Sequence, residues 1–552
     1  MEKRAILAAI LAAGLLILWQ ALFAPAPPPP PPAQVPAESK PAIPQAPPEG
    51  APPPAPVPRR VERPPVVPQR LISVEGPLFR GTVGSDGGKL HEWALRYRGD
   101  KPMVVPGALG PGGLVLQRPG AGAESIAFNV KEERLLLGPG RPRGEVSLTG
   151  QDAFGLHVTE ALRFHAEDFQ IEVAIRLENR QAVPQAVEVL LPWVAPKKWP
   201  EGQKEGFLGQ HPTRVIRLTD GQVHRDDIEK AADATEDGKW VGLESEWYIV
   251  ALIPLSPGFK VATLRGPTDT IWVALKAAPP PLAPGQGWEG RALLYVGPKE
   301  YDRLKAVGVG LEQTINWGHF LWISPLSMEW IAVPILWLMN FFYRYIPNYG
   351  VAIILLTVIT KIVFYPLTLK SMASMKAMQT LQPQVNALRA KYQKDPQRLQ
   401  RETMELYRKY KVNPMGGCLP MVVQIPIFYA LYLVFSLSVE LQNAAFLCFG
   451  MLFGVPLWIC DLAQHDPTYV LPILMGVSMF VQQKMTPTMG DPRQAQIMLI
   501  MPVVFTFMFL NLPSGLVLYW FVSNALQILQ QRYMDRRARS LKVPGKEAQR
   551  PA

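Results

Sequence analysis

After Gly350 the chain carries five apolar runs: Gly350 to Leu369, Cys418 to Val439, Tyr469 to Val481, Ile497 to Leu512 and Gly515 to Leu529. A bilayer-spanning helix needs about 20 such residues, and shorter ones serve where the membrane is locally thin. A sixth run lies at the other end. Two basic residues within Met1 to Arg4 precede Ala5 to Phe23, where Gln20 is the one polar member. This run exceeds the ~7–15 residues of a cleavable signal core. Ala24-Pro25-Ala26 mimics a cleavage site, but Pro27 after it hinders a peptidase that needs an extended bond. An uncleaved anchor is therefore expected, with a cleaved signal as the alternative. The fold class that follows is a multidomain membrane protein with a helical bundle of about six transmembrane helices. A plain soluble enzyme does not fit this pattern.

Charge placement orients the spans. The chain has 552 residues and a formal net charge of +11, and such an excess serves nucleic acid or an anionic membrane face. Between Lys370 and Lys411 there are ten Lys/Arg and three Asp/Glu, a net of +7. From Gln531 to Ala552 there are seven basic and two acidic residues, a net of +5. The short loop from Lys484 to Arg493 is basic too. The positive-inside rule places all three in the cytoplasm. Six spans with both termini inside satisfy this, and no role on DNA is called for. Residues 71 to about 310 and the segment after Glu440 then face outward. Met328 to Ile346, rich in Trp and Tyr, would add a span and invert that arrangement, so an interfacial helix is expected there. Phe446 to Ile459 is expected to be interfacial or a re-entrant hairpin.

The outer part divides in two. From Pro25 to Pro68 there are 20 prolines in 44 residues, which blocks helix and sheet ladders and favours a semi-rigid polyproline spacer. Beyond it, Phe169, Ile171, Val173, Ile175 and Leu177 alternate with Gln170, Glu172, Ala174, Arg176 and Glu178. Period two marks a half-buried strand. Leu71 to Val74, Trp247 to Ile253 and Arg291 to Val296 read the same way, so a large antiparallel sandwich is expected. His91, His157, His165, His211 and His224 show no ligand spacing, and the three cysteines, Cys418, Cys448 and Cys460, show neither zinc spacing nor the number for a disulfide scaffold. No nucleophile motif and no phosphate loop stand out. The domain reads as scaffold or binding module, with no metal, cofactor or catalytic residue assigned. The expected boundaries are 1–24 anchor, 25–70 linker, 71–315 β domain, 316–349 interfacial helix, 350–531 membrane core and 532–552 basic tail.

Polar residues interrupt the apolar runs on single faces. Thr357, Thr360 and Lys361 fall at i, i+3 and i+4, and Trp520, Ser523, Asn524 and Gln527 at i, i+3, i+4 and i+7. Gln424 adds an amide in the third span. A charge in a span costs roughly 2.5–3.5 kcal/mol on insertion scales, so Lys361 should face water or a partner. No Asp or Glu lies inside the clear spans to pair with it. Two stripes and a cation point to a wet cavity between helices. Snorkelling of Lys361 to a headgroup and simple interhelical glue are the competing readings. The basic segment 372–411 reads as an antiparallel helical hairpin, with starts at Leu381-Gln382-Pro383 and at Asp395-Pro396. It suits anionic lipid or ribosomal RNA, or is a solvated topogenic loop. Met498, Met501 and Met508 are core filler or an adaptable apolar surface.

These residues also carry a resemblance. The strings NPMGGCLPMVVQIPIFYALY from Asn413, YVLPILMGVSMFVQQKMTP from Tyr469 and MPVVFTFMFLNLPSGLVLYWFVSN from Met501 resemble the YidC membrane protein insertases, as do YVGPKEYDRLK from Tyr295 and GVAIILLTVITKIVFYPLT from Gly350. The resemblance runs from about 71 to 535 and is densest from 350 to 530. It implies the Gram-negative type in the inner membrane, with a β-supersandwich periplasmic domain. It implies a groove open to cytoplasm and lipid and closed to the outside, in which a positive residue receives acidic parts of a translocated tail. That residue is usually Arg, and Lys361 stands there, keeping the charge without the bidentate fork. Thr357 matches the family's threonine. Trp520, after Tyr519, replaces the usual facing Tyr and loses its hydroxyl. A nascent hydrophobic segment would contact Ile425 and Pro426 on the third span and Met498, Met501, Phe505 and Met508 on the fifth. The partners implied are nascent inner-membrane proteins, the Sec translocon, membrane lipids, and a ribosome or targeting receptor at the basic loop and tail. The function implied is that of an insertase and chaperone, not an enzyme. The rivals are a secondary transporter, disfavoured by the lack of a coupling carboxylate and of repeated halves, and an envelope glycan-binding protein.

Overall fold

Alternating side chains need a second layer, because a sheet apolar on one face is stable only when that face is covered. The structure, a computed structural model, describes residues 69–540 apart from 98–99, 103–112, 120–122, 198–212, 267–268, 319–326, 394, 411, 413–414, 453–454 and 486–491. The expected anchor, nearly all of the linker, and the tail beyond 540 lie outside the described residues.

The strand Gln170–Asn179 shows the alternation most clearly. Ile171, Val173, Ile175 and Leu177 turn inward and are at most 2% exposed. Each such side chain contributes about 1.5–3 kcal/mol by leaving water. The strand pairs antiparallel with Leu156–His165 on one edge and Gly287–Pro298 on the other, inside a nine-stranded sheet. A six-stranded sheet includes Glu188–Pro196, Thr270–Ala277 and Phe259–Gly266. A five-stranded sheet adds Leu71–Glu75, which pairs parallel with Arg134–Leu136. The nine- and six-stranded sheets share one core, in which Trp240 and Trp193 are fully buried. All four strands expected from the sequence are present, shifted by a residue or a few at their ends.

The rest is helical. Helix α1 (Tyr301–Ala306) closes the β domain and α2 (Glu329–Tyr345) follows it. Then come α3 (Tyr349–Val363), α4 (Tyr365–Lys391), α5 (Pro396–Lys409), α6 (Met415–Leu437), α7 (Val470–Met485), α8 (Pro492–Phe509) and α9 (Ser514–Ser540). Asn348 caps α3 by accepting from the Val351 N–H at 3.1 Å. Among the described residues no single helix is long and apolar enough to cross a membrane, whereas α3 and α4 together pass on length and composition.

Four details depart from the sequence expectation. The run Gly350 to Leu369 is not one straight helix: α3 and α4 meet at 60° around Phe364, and Pro366 stands in the first turn of α4. Proline lacks the N–H that would continue the ladder, but it fits a first turn. Pro383 does not start a helix, since α4 runs through it. At Asp395 the expectation holds, its carboxylate accepting from the Arg398 N–H at 3.0 Å. Helix α9 continues beyond Leu529 to Ser540, so the start of the basic tail is helical. Phe446 to Ile459 contains a β-hairpin, Leu447–Leu452 with Val455–Ile459, and a disulfide joins Cys448 to Cys460. Three cysteines build no scaffold, but two of them pair.

Candidate substrate groove

Helices α3, α4, α6, α7, α8 and α9 enclose a cavity of about 540 Å³. Of the residues that the sequence singles out, Thr360, Lys361, Gln424, Ile425, Phe505, Trp520, Ser523, Asn524 and Gln527 line it. The two stripes meet. The Lys361 ammonium donates to Gln527 Oε1 at 3.1 Å, joining residues 166 positions apart. Among the described residues no carboxylate forms an ion pair with Lys361. Its neighbours are an amide, hydroxyls and apolar walls, so the cation is held inside the groove.

Each polar group has a local reason. Thr360 donates to the Thr357 carbonyl at 2.8 Å, and Thr357, fully buried, donates to the Ile353 carbonyl at 2.7 Å. Thr357 thus sits behind the wall and off the lining. Asn524 donates to Ser478 Oγ at 3.1 Å, which ties α9 to α7. The glue reading is therefore correct for one amide hydrogen of Asn524, while its residue still borders the cavity.

The apolar wall divides. Ile425 is 51% exposed and lines the cavity, and Phe505 does so from α8. Pro426, Met501 and Met508 stand off the lining, and the side chain of Met498 lies outside the described residues. Trp520 is the hub of an aromatic cluster, with ring centroids 4.6 Å from Phe428, 5.1 Å from Phe509 and 6.2 Å from Phe505.

The structure adds residues. Thr368, Ser371, Met372 and Met375 of α4, Met479, Gln482 and Gln483 of α7, and Tyr519 of α9 also line the cavity, with Phe364, Leu367, Ile427 and Phe428 as further apolar wall. Tyr519 places its hydroxyl against Thr360 and Gln424. A phenol therefore borders the groove one position before Trp520, whose own ring carries no hydroxyl. The pair Gln482-Gln483 at the end of a charge-free apolar run was the available signal for α7. Thr368, Ser371, Met372 and Met375 continue, at steps of three and four through Phe364, the face that begins with Thr360 and Lys361, so spacing carried their signal and the bend of 60° falls within that face.

A second concavity, of about 570 Å³, lies on the β domain beside Arg176, Glu178, Arg180, Trp288 and Glu289. Its charges already pair, Arg176 Nε donating to Glu289 at 2.7 Å and Arg180 to Glu178 at 2.7 Å. Exposed pairs of this kind are solvated surface of small energetic worth.

The profile of the 60Kd inner membrane protein family matches residues 341–541, and that of the YidC periplasmic domain matches residues 71–338. The membrane protein insertase YidC of Syntrophus aciditrophicus is 37% identical over 577 aligned residues, covering 98% of this chain and 100% of the relative. The chain belongs to the YidC membrane protein insertase family. The family member of Geobacter sulfurreducens is 39% identical, over 83% of this chain and 85% of its own. Among solved structures, the active YidC insertase crystal structure with its first transmembrane domain resolved covers 86% of this chain and 94% of its own, at 21% identity and a TM-score of 0.37. The family is one of inner-membrane proteins with a β-rich periplasmic domain and a helical C-terminal region. In this member both parts are present, and the groove lies wholly in the part matched by the 60Kd profile.

Proposed function

We propose that this chain is an insertase and chaperone for inner-membrane proteins, working through the groove between α3, α4, α6, α7, α8 and α9. The observation that carries the proposal is the cation of Lys361 bonded to Gln527 in a cavity that Thr360 and Ser523 line together with Ile425, Phe428 and Phe505. A polar tail leaving water loses hydration, and a nearby positive charge with amides and hydroxyls lowers that cost for acidic tails. The hydrophobic segment attached to the tail gains free energy on reaching lipid. No nucleotide, metal or covalent step enters this scheme, so the chain acts as a non-enzymatic catalyst of insertion. Helix α6 beside Ile425 and Pro426, and α8 beside Phe505, Met501 and Met508, are the entry wall for the segment.

The topology proposed with it is six spans, both termini cytoplasmic, and the β domain, a supersandwich, in the periplasm. The net +7 of residues 370–411 and the net +5 of residues 531–552 support it. The helical hairpin α4–α5 and the tail are then the surfaces for a ribosome or targeting receptor and for anionic lipid, and cooperation with the Sec translocon belongs to the same reading. Domain bounds follow as 71–315, 316–349 and 350–531.

The test is reconstitution of the pure chain in liposomes with a single-span client bearing an acidic tail, insertion being read by protease protection. Lys361→Arg is expected to insert at the wild-type level. Lys361→Ala is expected to lose an order of magnitude in rate, about the effect of 1.4 kcal/mol in the barrier. Equal insertion by Lys361→Ala would sink the charged-groove mechanism.

A further inference from the structure

We propose that the disulfide-closed hairpin between α6 and α7 is an anchor in the outer leaflet, its occupant being the acyl and glycerol region of phospholipid. From Asn443 to Cys460 the sequence holds no Asp, Glu, Lys, Arg or His. An isolated two-stranded hairpin is marginal in water, and among the described residues this one has no third strand. The bridge from Cys448 to Cys460, with Cα atoms 4.6 Å apart, supplies the closure that a small core cannot. Such a bond persists in an oxidising compartment, which the periplasm is and the cytosol is not.

The described flanks turn apolar groups outward. Phe449 is 68% exposed and stacks on Trp458 at 6.1 Å and 14° between planes. Leu447 is 38% exposed beside it. A water-facing hairpin would put polar side chains on at least one face.

What covers the surface follows from where its root is fixed. Phe446 pairs with Ile459 through its N–H, and the Asn348 amide donates to the Phe446 carbonyl at 3.2 Å. A Cβ on Gly350 would lie 2.0 Å from the Phe446 ring, so only glycine admits this packing. Leu462 bonds Ala444, and Gly515 bonds Leu462. The root is thus stitched to the N-terminal ends of α3 and α9, at one end of the bundle. The aromatic row Trp337, Phe341 and Tyr345, its first pair stacked and its second edge-on along the exposed face of α2, ends four residues before α3. Aromatic side chains of this kind concentrate at the headgroup level. The hairpin therefore continues a surface already set at the bilayer boundary, and a charge-free apolar wedge there meets lipid.

This inference rests on the outward placement of the α3 and α9 N-termini and is independent of the groove mechanism. The experiment uses the full chain in spheroplasts, with p-benzoylphenylalanine in place of Phe449 and, as control, in place of Lys230, an exposed β-domain residue. After illumination, mass spectrometry reads phospholipid and polypeptide adducts, and externally added protease reports the side of the β domain. Several-fold more phospholipid adduct at 449 than at 230, with the β domain cleaved from outside, is the expected result. With outside cleavage but equal lipid adducts, or with adducts at 449 mainly to polypeptide, the anchor is overturned and the topology stands. With cleavage only after lysis, the topology itself falls and the outer-leaflet assignment with it. A second measurement guards against local disruption by the probe. In vesicles of phosphatidylethanolamine and phosphatidylglycerol with brominated acyl chains, Trp458→Phe is expected to lower the bromine-quenched share of tryptophan emission, and an unchanged share counts against insertion.

Discussion

A single charged residue among apolar neighbours is visible in sequence, but its partner is not. Lys361 and the stripe ending in Gln527 were each legible from helical spacing; that they join at 3.1 Å depends on how α3 and α9 pack. Tyr519 was hidden for a related reason, because it neighbours Trp520 and only the helix rotation tells which of the two meets Thr360. Glu160 is a case the alternation disguised. It stands between Val158 and Leu162 in the inward row of Leu156–His165, fully buried, with neither oxygen hydrogen-bonded to a described residue. Burial without a partner pushes its pKa well above the usual carboxylate range. A raised folded-state pKa means the fold holds the proton more tightly than the unfolded chain. Its contribution is full below the ordinary Glu pKa and is lost as pH rises from there through the folded value. Glu160→Leu is therefore expected to stabilise the β domain at neutral pH by about 1–3 kcal/mol, the cost of one unsatisfied buried polar group. It should also flatten the fall in stability as the pH rises above the ordinary Glu pKa. Thermal melts of the detergent-solubilised chain, followed at the β-sheet circular dichroism band, would read this. A wild-type melting temperature that does not fall with pH in that window contradicts the assignment.

At the scale of elements, local chemistry and tertiary packing divide the outcome. Strands with period two, and the helix start at Asp395-Pro396, followed from residues a few positions apart, so they were legible. The break at Phe364 was masked because the run stays apolar through it, although Pro366, which cannot continue the hydrogen-bond ladder, was its local signal. Pro383 misled because proline is tolerated inside a helix where packing holds the flanking turns, at a cost of about 3 kcal/mol or more that local reading assigns to a stop. The cap at Asp395 permits a quantitative check. Its carboxylate satisfies the Arg398 N–H, one of the donors that the first turn leaves open. Asp395→Ala is expected to cost about 0.5–2 kcal/mol, confined to α5. Hydrogen exchange of the Gln397, Arg398 and Leu399 amides should then quicken about tenfold, the equivalent of 1.4 kcal/mol in the opening equilibrium. Insertion of a client that needs no ribosome should be unchanged, and slower insertion would mean the hairpin α4–α5 acts in the insertion step itself.

Across the whole molecule, one question is whether the β domain and the bundle behave as independent bodies. One turn of the β domain reaches across to α6. Trp247 donates to the Ser436 carbonyl at 3.3 Å, and the Tyr248 hydroxyl donates to Gln442 Oε1 at 2.6 Å, both groups standing just after α6 or at its last turn. The turn is itself braced, since the Lys299 ammonium donates to Glu244 at 3.0 Å and to the Ser245 carbonyl at 3.3 Å, and the Lys299 N–H bonds the Trp247 carbonyl at 2.8 Å. Burial lowers the Lys299 pKa, with Glu244 opposing the shift. A buried pair of this kind is costly to break on one side, about 3–5 kcal/mol, because the partner stays charged and out of water. The contact is thus a short, stiff strut between the β domain and the C-terminal end of α6. Removing the Tyr248 hydroxyl takes away one buried hydrogen bond to Gln442, so Tyr248→Phe should loosen the contact by about 0.5–1.5 kcal/mol. A double-mutant cycle with Gln442→Leu separates this coupling from general damage. If the hydrogen bond carries the strut, the two changes together should cost less than their sum by about 0.5–3 kcal/mol. The readout is hydrogen exchange of residues 438–444 in nanodiscs. Strict additivity would show that the apolar packing around Trp247 holds the domains together, and that the polar bond only follows it.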